Sequence, residues 1–336
     1  MNTREPPANG LVDSFGRRVE YLRISVTDKC NLRCVYCMPE EGLPWLKKDQ
    51  LLTYEEIRDI VGVLAPLGLK RIRLTGGEPL VRKDLPQLVE LLASVPGIDD
   101  LSISTNGVLL DGLASSLKKA GATRVNISLD SFRKDRVDAL ARRRGTYERV
   151  LAGLGAAEEA GLEPIKINVV LIKGKNDDEI VDFAEVTRAH PWHVRFIEIM
   201  PTGSNLDLSD QNFLSCQEAL LILREVAELE PTQGPSGNGP ASYFRFPGAM
   251  GTIGVITPMS HSFCDGCNRL RLTADGMLRP CLFGDLQANL RDRLRAGEDL
   301  LPIIRDTLRI KPERHDLIPG SDLGSGGLIA LSQTGG

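Results

Sequence analysis

The sequence predicts an α/β fold: a partial, open βα barrel of about six βα units, followed by a C-terminal extension carrying a second cysteine group. Six β-rich runs between residues 21 and 200 alternate with amphipathic segments. Strands separated by helices need right-handed crossovers and pair in parallel. Six units stop one strand pair short of the eight that close a barrel.

The runs are YLRISV (21–26), RIRLT (71–75), LSIST (101–105), RVNISLD (124–130), PIKINVVLI (164–172) and HVRFIEIM (193–200), rich in branched residues that suit a buried, pleated surface. TYEEIRDIVGVLAPLG predicts a helix from Thr53, because Thr53 and Glu56 have capping-box spacing. DLPQLVELLASV predicts another from Asp84. After Met200 the alternation stops. PTGSNLDLSDQN is loop-like, 215–230 predicts a helix, PTQGPSGNGP is a connector, YFRF, TIGVIT and LRLTAD predict short strands, and 286–308 is helical. The expected division is a barrel core over 1–205, a C-terminal region over 206–318, and a flexible tail over 319–336 ending in Gly-Gly.

The 336 residues are 42% hydrophobic and 26% charged, ordinary for a globular chain with one large core or two smaller ones. No run approaches the ~20 apolar residues of a membrane span. The N-terminus MNTREPPANG lacks the apolar stretch of a secretory signal, so the cytoplasm is the default compartment. A net charge of -4 argues against a nucleic-acid surface, so an anionic ligand must meet arginines gathered locally, expected at the barrel mouth. Seven cysteines, grouped as 30/34/37 and 264/267/281 with Cys216 alone, fit metal ligation better than disulfides. Cys216 lies in an apolar helical segment and reads as a core residue.

Cys30, Cys34 and Cys37 form C-x3-C-x2-C directly after the first strand, where a βα fold carries its reactive loops. Three thiolates can hold three irons of a 4Fe-4S cluster and leave the fourth open. A zinc site with a remote ligand is the bland alternative. One unit later LTGGEPL places Gly76, Gly77 and Glu78 at a strand end, where glycines admit close approach to a ligand and Glu78 can accept from an ammonium group. Cys264, Cys267 and Cys281 form C-x2-C-x13-C, a spacing met in zinc knuckles, with His261 and His315 as candidate fourth ligands. A second 4Fe-4S cluster with an open iron is the rival. Arg269 and Arg271, two apart on a strand, point to one side and favour an anion beside the metal. The run Arg142 to Arg144 reads as a solvated helix end.

Taken together, C-x3-C-x2-C with Tyr36 inside it and GGEP resemble the radical S-adenosylmethionine (SAM) superfamily. The order of DKCNLRCVYCMPEEG, LTGGEPL, STNG, NISLDS, KINVVLIKGKND, RFIEIMPTG, GPASY and CDGCNRLRLTADGMLRPCLF, closing on Gly-Gly, is similar to the GTP-cyclising family that opens molybdenum cofactor biosynthesis. The resemblance covers nearly the whole chain. It implies a lyase that converts GTP to 3',8-cyclo-7,8-dihydroguanosine triphosphate. It also implies two 4Fe-4S clusters: Cys30, Cys34 and Cys37 would hold the one that binds SAM through its open iron, and Cys264, Cys267 and Cys281 the auxiliary one. Implied SAM contacts are Tyr36, Gly77, Ser128 and Met200, to which the ammonium reading adds Glu78. Implied GTP contacts are Arg23, Arg73, Ser104, Lys166, Arg269, Leu270 and Arg271. Catalytic parts fall to Arg23, Arg269 and Arg271, and to Gly335 and Gly336, which would thread back into the site. Ser104 stands where the family has threonine, and LSQTGG departs from its usual tail.

The implied partners are GTP, an external electron donor and, functionally, the next enzyme, cyclic pyranopterin monophosphate synthase. Neither nucleic acid nor membrane is expected, and a homodimer is left open. The implied chemistry is abstraction of the ribose 3' hydrogen by a radical made from SAM, attack of C3' on guanine C8, then reduction and protonation. Two other readings stay open: a peptide-modifying radical SAM enzyme with an auxiliary cluster, and a non-enzymatic zinc-binding protein.

Overall fold

The six β-rich runs form six parallel strands: β1 (Tyr21–Ser25), β2 (Arg71–Thr75), β3 (Asp100–Thr105), β4 (Arg124–Ser128), β5 (Lys166–Leu171) and β6 (His193–Glu198). The computed structural model describes residues 10–200, 210–235, 239–315 and 331–334. Between the strands run α1 (Tyr54–Leu64), α2 (Leu85–Ala93), α3 (Ala114–Lys119), α4 (Lys134–Ala141), α5 (Thr146–Glu159) and α6 (Ile180–Ala189). The capping box is made: Thr53 Oγ1 accepts from the Glu56 N–H at 3.2 Å, and Glu56 accepts from the Thr53 N–H at 2.8 Å. Asp84 differs from expectation. It sits in the left-handed region at φ 57 and makes no side-chain cap, so α2 starts one residue later.

Alternation along each strand divides the sheet into two faces. Leu22, Ile24, Ile72, Leu74, Ile167 and Phe196 enter one core with the helices. The residues between them, Arg23, Arg73, Ser102, Arg124, Asn126, Lys166, Asn168 and Arg195, belong to the opposite face. That face is folded inward. On a flat sheet five steps of ~4.8 Å would separate β1 from β6 by about 24 Å, yet Tyr21 on β1 and Arg195 on β6 are electrostatic neighbours, as are Arg73 on β2 and Lys166 on β5.

The C-terminal region supplies α7 (Cys216–Val226), capped by Ser215 and Glu218, then β7 (Glu230–Thr232), β8 (Ser242–Arg245), β9 (Thr252–Ile256), β10 (Arg269–Leu272), β11 (Met277–Arg279) and β12 (Ala288–Asn289). The helix expected over 215–230 ends at Val226, because Glu230 already pairs in β7. The helical stretch expected over 286–308 is two helices, α8 (Leu290–Arg295) and α9 (Leu301–Arg309), and a short α10 (Leu331–Thr334) follows. β9 joins β6 in parallel and β10 joins β1 in parallel. The C-terminal region therefore provides the strand pair missing from six units, one strand at each edge, with antiparallel strands beyond. Cys216 is a core residue: it is buried, its Sγ lies 3.5 Å from the carbonyls of Phe196 and Ile256, and burial pushes its thiol up to about 12.

Candidate active site

The first cysteine loop leaves the C-terminal end of β1 and is held mainly by backbone. The N–H groups of Arg33 and Val35 donate to the carbonyls of Ala141 and Leu140 at the end of α4, and those of Cys37 and Met38 to Cys34 O. The Cys30 sulfur receives the Leu32 N–H at 3.4 Å and the Asn106 amide at 3.9 Å. N–H donors to sulfur suit a cluster thiolate and tune its potential. Burial pushes the Cys30 thiol up to about 11 and Cys34 well above its ordinary value, so both thiols are protonated until iron displaces those protons.

Gly77 packs against this loop. Its N–H donates to Thr27 O at 2.8 Å, and a Cβ there would meet Lys29 O at 2.4 Å, so only glycine fits beside the strand that leads to Cys30. Glu78 is buried; it accepts from the N–H groups of Leu80 and Asn106 at 3.0 and 2.6 Å and from the Thr105 hydroxyl at 2.7 Å. Three bonds tie the loops after β2 and β3 together and leave the carboxylate about one lone-pair site. Burial, only partly offset by these donors, lifts its pKa to about 7. Tyr36 donates to Asp130 at 2.7 Å, just beyond Ser128 at the end of β4, and Met200 lies two residues past β6. Every residue expected to contact SAM thus lies at the C-terminal ends of the strands.

The expected GTP residues lie lower, inside the sheet. Register places Arg271, Arg23, Arg73, Ser102 and Arg124 in one row across five strands. A second row runs Ser104, Asn126, Lys166 and His193. The cations line the interior and do not ring the mouth, because strand residues of alternate parity point inward. Burial, then Arg271, holds Arg23 well below its usual range; burial, then Arg269, brings Arg271 down to about 10. Lys166, 3% exposed, falls to about 6 through burial and then through Arg195, Arg124 and Arg73. Cations that depress one another in a buried space are relieved by an anion. Several buried polar atoms here also have no hydrogen-bond partner among the described residues: Tyr21 Oη, Ser104 Oγ, Arg124 Nε and Arg195 Nε. Orphans of this kind mark a missing polar ligand.

The second cysteine group borders the opposite end. Cys264 and Cys267 precede β10 and Cys281 follows β11, so they flank the N-terminal ends of the parallel strands, with Leu270 buried between Arg269 and Arg271. Buried Lys311 donates to Cys267 Sγ at 3.5 Å, to Arg269 O at 3.0 Å and to Pro280 O at 2.6 Å. Arg17 donates to Cys264 O at 2.8 Å and to Glu313 O at 2.7 Å. Burial would raise the Cys267 thiol, but Arg269 and Lys311 outweigh it and bring it to about 7. Among the described residues no three Cys, His or carboxylate side chains converge on one ion. A 4Fe-4S cube takes each thiolate on a different iron, so its ligands need not converge. His261 is exposed, and His315 stacks edge-on against Phe283 at 4.9 Å. Thr334 is buried and accepts from Arg271 at 3.3 Å; Gly335 and Gly336 lie outside the described residues.

The radical SAM superfamily pattern matches residues 24–187, and the molybdenum cofactor synthesis C pattern residues 192–317. The chain is 47% identical over 314 residues to the GTP 3',8-cyclase of Pelotomaculum thermopropionicum, covering 92% of this chain and 96% of that one. It is 48% identical over 313 residues to the GTP 3',8-cyclase of Moorella thermoacetica, with the same coverage. The chain belongs to the GTP 3',8-cyclase family. Membership makes it a radical SAM enzyme whose cofactors are SAM and two 4Fe-4S clusters. The crystal structure of Streptococcus suis SuiB bound to SAM matches with a TM-score of 0.62 at 15% identity, covering 86% of this chain and 66% of that one, a likeness of fold alone.

Sequence reasoning missed several polar residues on the inner face and beside the first cysteine loop. Arg124 and Arg195 are buried on the inner face, Arg195 donating to Asn126 Oδ1 at 2.8 Å and Arg124 paired with Asp100. Their signal was a polar residue at every second place in strands whose other face is apolar. Gly254 makes room there: a Cβ would stand 2.9 Å from Arg195 Cγ and 3.0 Å from the Tyr243 ring. The expectation for Arg142 to Arg144 is corrected. Arg142 donates to Met38 O at 3.1 Å and Arg143 to Asn31 O at 2.6 Å, so two of the three clamp the first cysteine loop.

Proposed function

We propose that the protein converts GTP to 3',8-cyclo-7,8-dihydroguanosine triphosphate, the opening step of molybdenum cofactor biosynthesis, in the cytoplasm. The observation that carries this reading is a buried, cation-rich face lying between two cysteine triplets at opposite ends of one sheet. No helix of the described residues is long and apolar enough to cross a membrane. In this reading Cys30, Cys34 and Cys37 hold the SAM-binding cluster and Cys264, Cys267 and Cys281 the auxiliary one. When bound and reduced, the first cluster with SAM supplies the carbon radical that takes hydrogen from the substrate.

The chain's own residues bind, orient and exclude water. Tyr36, Gly77, Ser128 and Met200 border the SAM position, and Glu78 fixes the loops around it while keeping a site for an ammonium donor. Arg23, Arg73, Lys166, Arg269 and Arg271, joined by Arg124 and Arg195, hold the triphosphate, with Ser104 and the Leu270 backbone beside them. The β1 strand between the two loops has five residues, roughly 13–16 Å at ~3.3 Å per residue, a span that suits a nucleotide laid between the two ends. Fixing it at both ends restricts which ribose hydrogen meets the radical, and near-attack placement decides the product. Gly335 and Gly336 take part in catalysis in this reading, and the preceding Thr334 accepts from Arg271 at 3.3 Å. An external reductant, hand-over to cyclic pyranopterin monophosphate synthase and a homodimer belong to the same proposal, as does the division at 205 and 318.

Anaerobic reconstitution tests it. About eight irons per chain and GTP-dependent product formation with SAM and dithionite are expected; zinc in place of iron, or turnover of peptide but not GTP, would refute it.

A further inference from the structure

Tyr21 belongs to none of the roles above, yet its environment is unusual. It is the first residue of β1, level in register with Arg269 on one side and Arg71 on the other. The side chain is 3% exposed, and its hydroxyl has no hydrogen-bond partner among the described residues. A buried polar group is rarely left unpaired in a protein interior, so the position calls for an explanation.

The neighbours supply one. The Arg73 guanidinium lies 5.4 Å from the ring centroid, and Arg23, Arg195 and Arg271 are within electrostatic reach of it. Guanidinium groups donate and never accept. A hydroxyl surrounded by them has no acceptor for its own proton, and the acceptor must come with a ligand. The same cations select that ligand as an anion rich in oxygen acceptors.

We infer that the Tyr21 hydroxyl donates to a phosphate oxygen of the bound nucleotide, making Tyr21 a substrate-positioning residue at the end of the sheet nearest the second cysteine group. The inference rests on the GTP reading. The ring has a second part to play: packed beneath Arg73, it sets the height at which that guanidinium meets the phosphates. Phenylalanine keeps the ring and removes only the proton donor.

The test uses Tyr21→Phe in the full-length, anaerobically reconstituted protein, with GTP, inorganic tripolyphosphate and guanosine as probes. The dissociation constants for GTP and tripolyphosphate are expected to rise about ten-fold, the loss of one hydrogen bond to a charged acceptor, while that for guanosine stays put. The ligand-free melting temperature should not fall, because no protein partner is lost. Unchanged affinity for GTP and tripolyphosphate overturns the inference. So does a variant whose guanosine binding weakens in their place, or one that only melts lower, which would mark a structural hydrogen bond. Failure of the wild-type protein to bind GTP would instead sink the underlying GTP reading, so the two failures are separable.

Discussion

The two cysteine triplets sit at opposite ends of one sheet and in opposite electrostatic surroundings. The first is held by backbone hydrogen bonds and from outside by Arg142 and Arg143, with Glu78 and Asp130 beside it, and burial drives the Cys30 and Cys34 thiols up. The second is held by buried cations, Lys311 and Arg17, and Cys267 is drawn down to about 7. A site near carboxylates suits a cofactor carrying ammonium and sulfonium charge. A site ringed by arginines suits a polyanion. The two cysteine triplets thus meet different surroundings because they occupy opposite strand ends of one sheet.

The most severe way to break the comparison is to remove one thiolate from each loop. Cys34→Ala should lose about four irons and all reductive cleavage of SAM. Cys267→Ala should also lose about four irons but keep SAM cleavage while cyclisation drops by about a hundredfold or more, the scale of lost positioning. Equal loss of SAM cleavage in both would erase the division of labour.

Arg271→Ala removes a buried charge from the row that crosses the sheet between the two ends. GTP affinity should fall about 10- to 100-fold, as expected for charge-assisted bonds, with SAM binding unchanged by equilibrium dialysis.

Lys166 sharpens the contrast through pH. Its free pKa of about 6 leaves it neutral at pH 8, and a bound triphosphate favours the charged form. The complex therefore holds more protons than the free protein between the two pKa values. Binding should take up close to one proton per GTP at pH 8 and tighten as pH falls toward 6, then level off. Calorimetry in buffers of different ionisation enthalpy reads this directly, and Lys166→Met should abolish the uptake.

The smallest effects concern how each loop is anchored. Lys311→Met takes a donor from the buried Pro280 carbonyl and the half-buried Arg269 carbonyl and should destabilise the protein by roughly 2–4 kcal/mol. Arg143→Ala takes one donor from the Asn31 carbonyl at the surface and should cost under ~1 kcal/mol. Chemical denaturation of both variants checks the order.

Much of this was legible in the chain because it is local. The six strands announce themselves by composition and by the helices between them, and Thr53 with Glu56 writes its own cap. The cysteine loops are readable from spacing. What is not legible depends on partners distant in sequence. β10 is short and pairs with β1 through Tyr21 and Arg269, which no local pattern connects. The role of Lys311 comes from a contact with Cys267 and Pro280 made only after folding. Glu78 looks like a ligand residue in GGEP, yet its donors Thr105 and Asn106 arrive from the next strand. Arg142 and Arg143 resemble a solvated helix end until the cysteine loop is laid against α4.

In the proposed function a nucleotide lies between the two loops with its ribose presented to the SAM end. The direct measurement is turnover of GTP deuterated at the ribose 3' position, with mass analysis of the 5'-deoxyadenosine released. Deuterium should appear in 5'-deoxyadenosine together with a 3',8-cyclised triphosphate. Formation of 5'-deoxyadenosine with no deuterium and unaltered GTP would contradict the account.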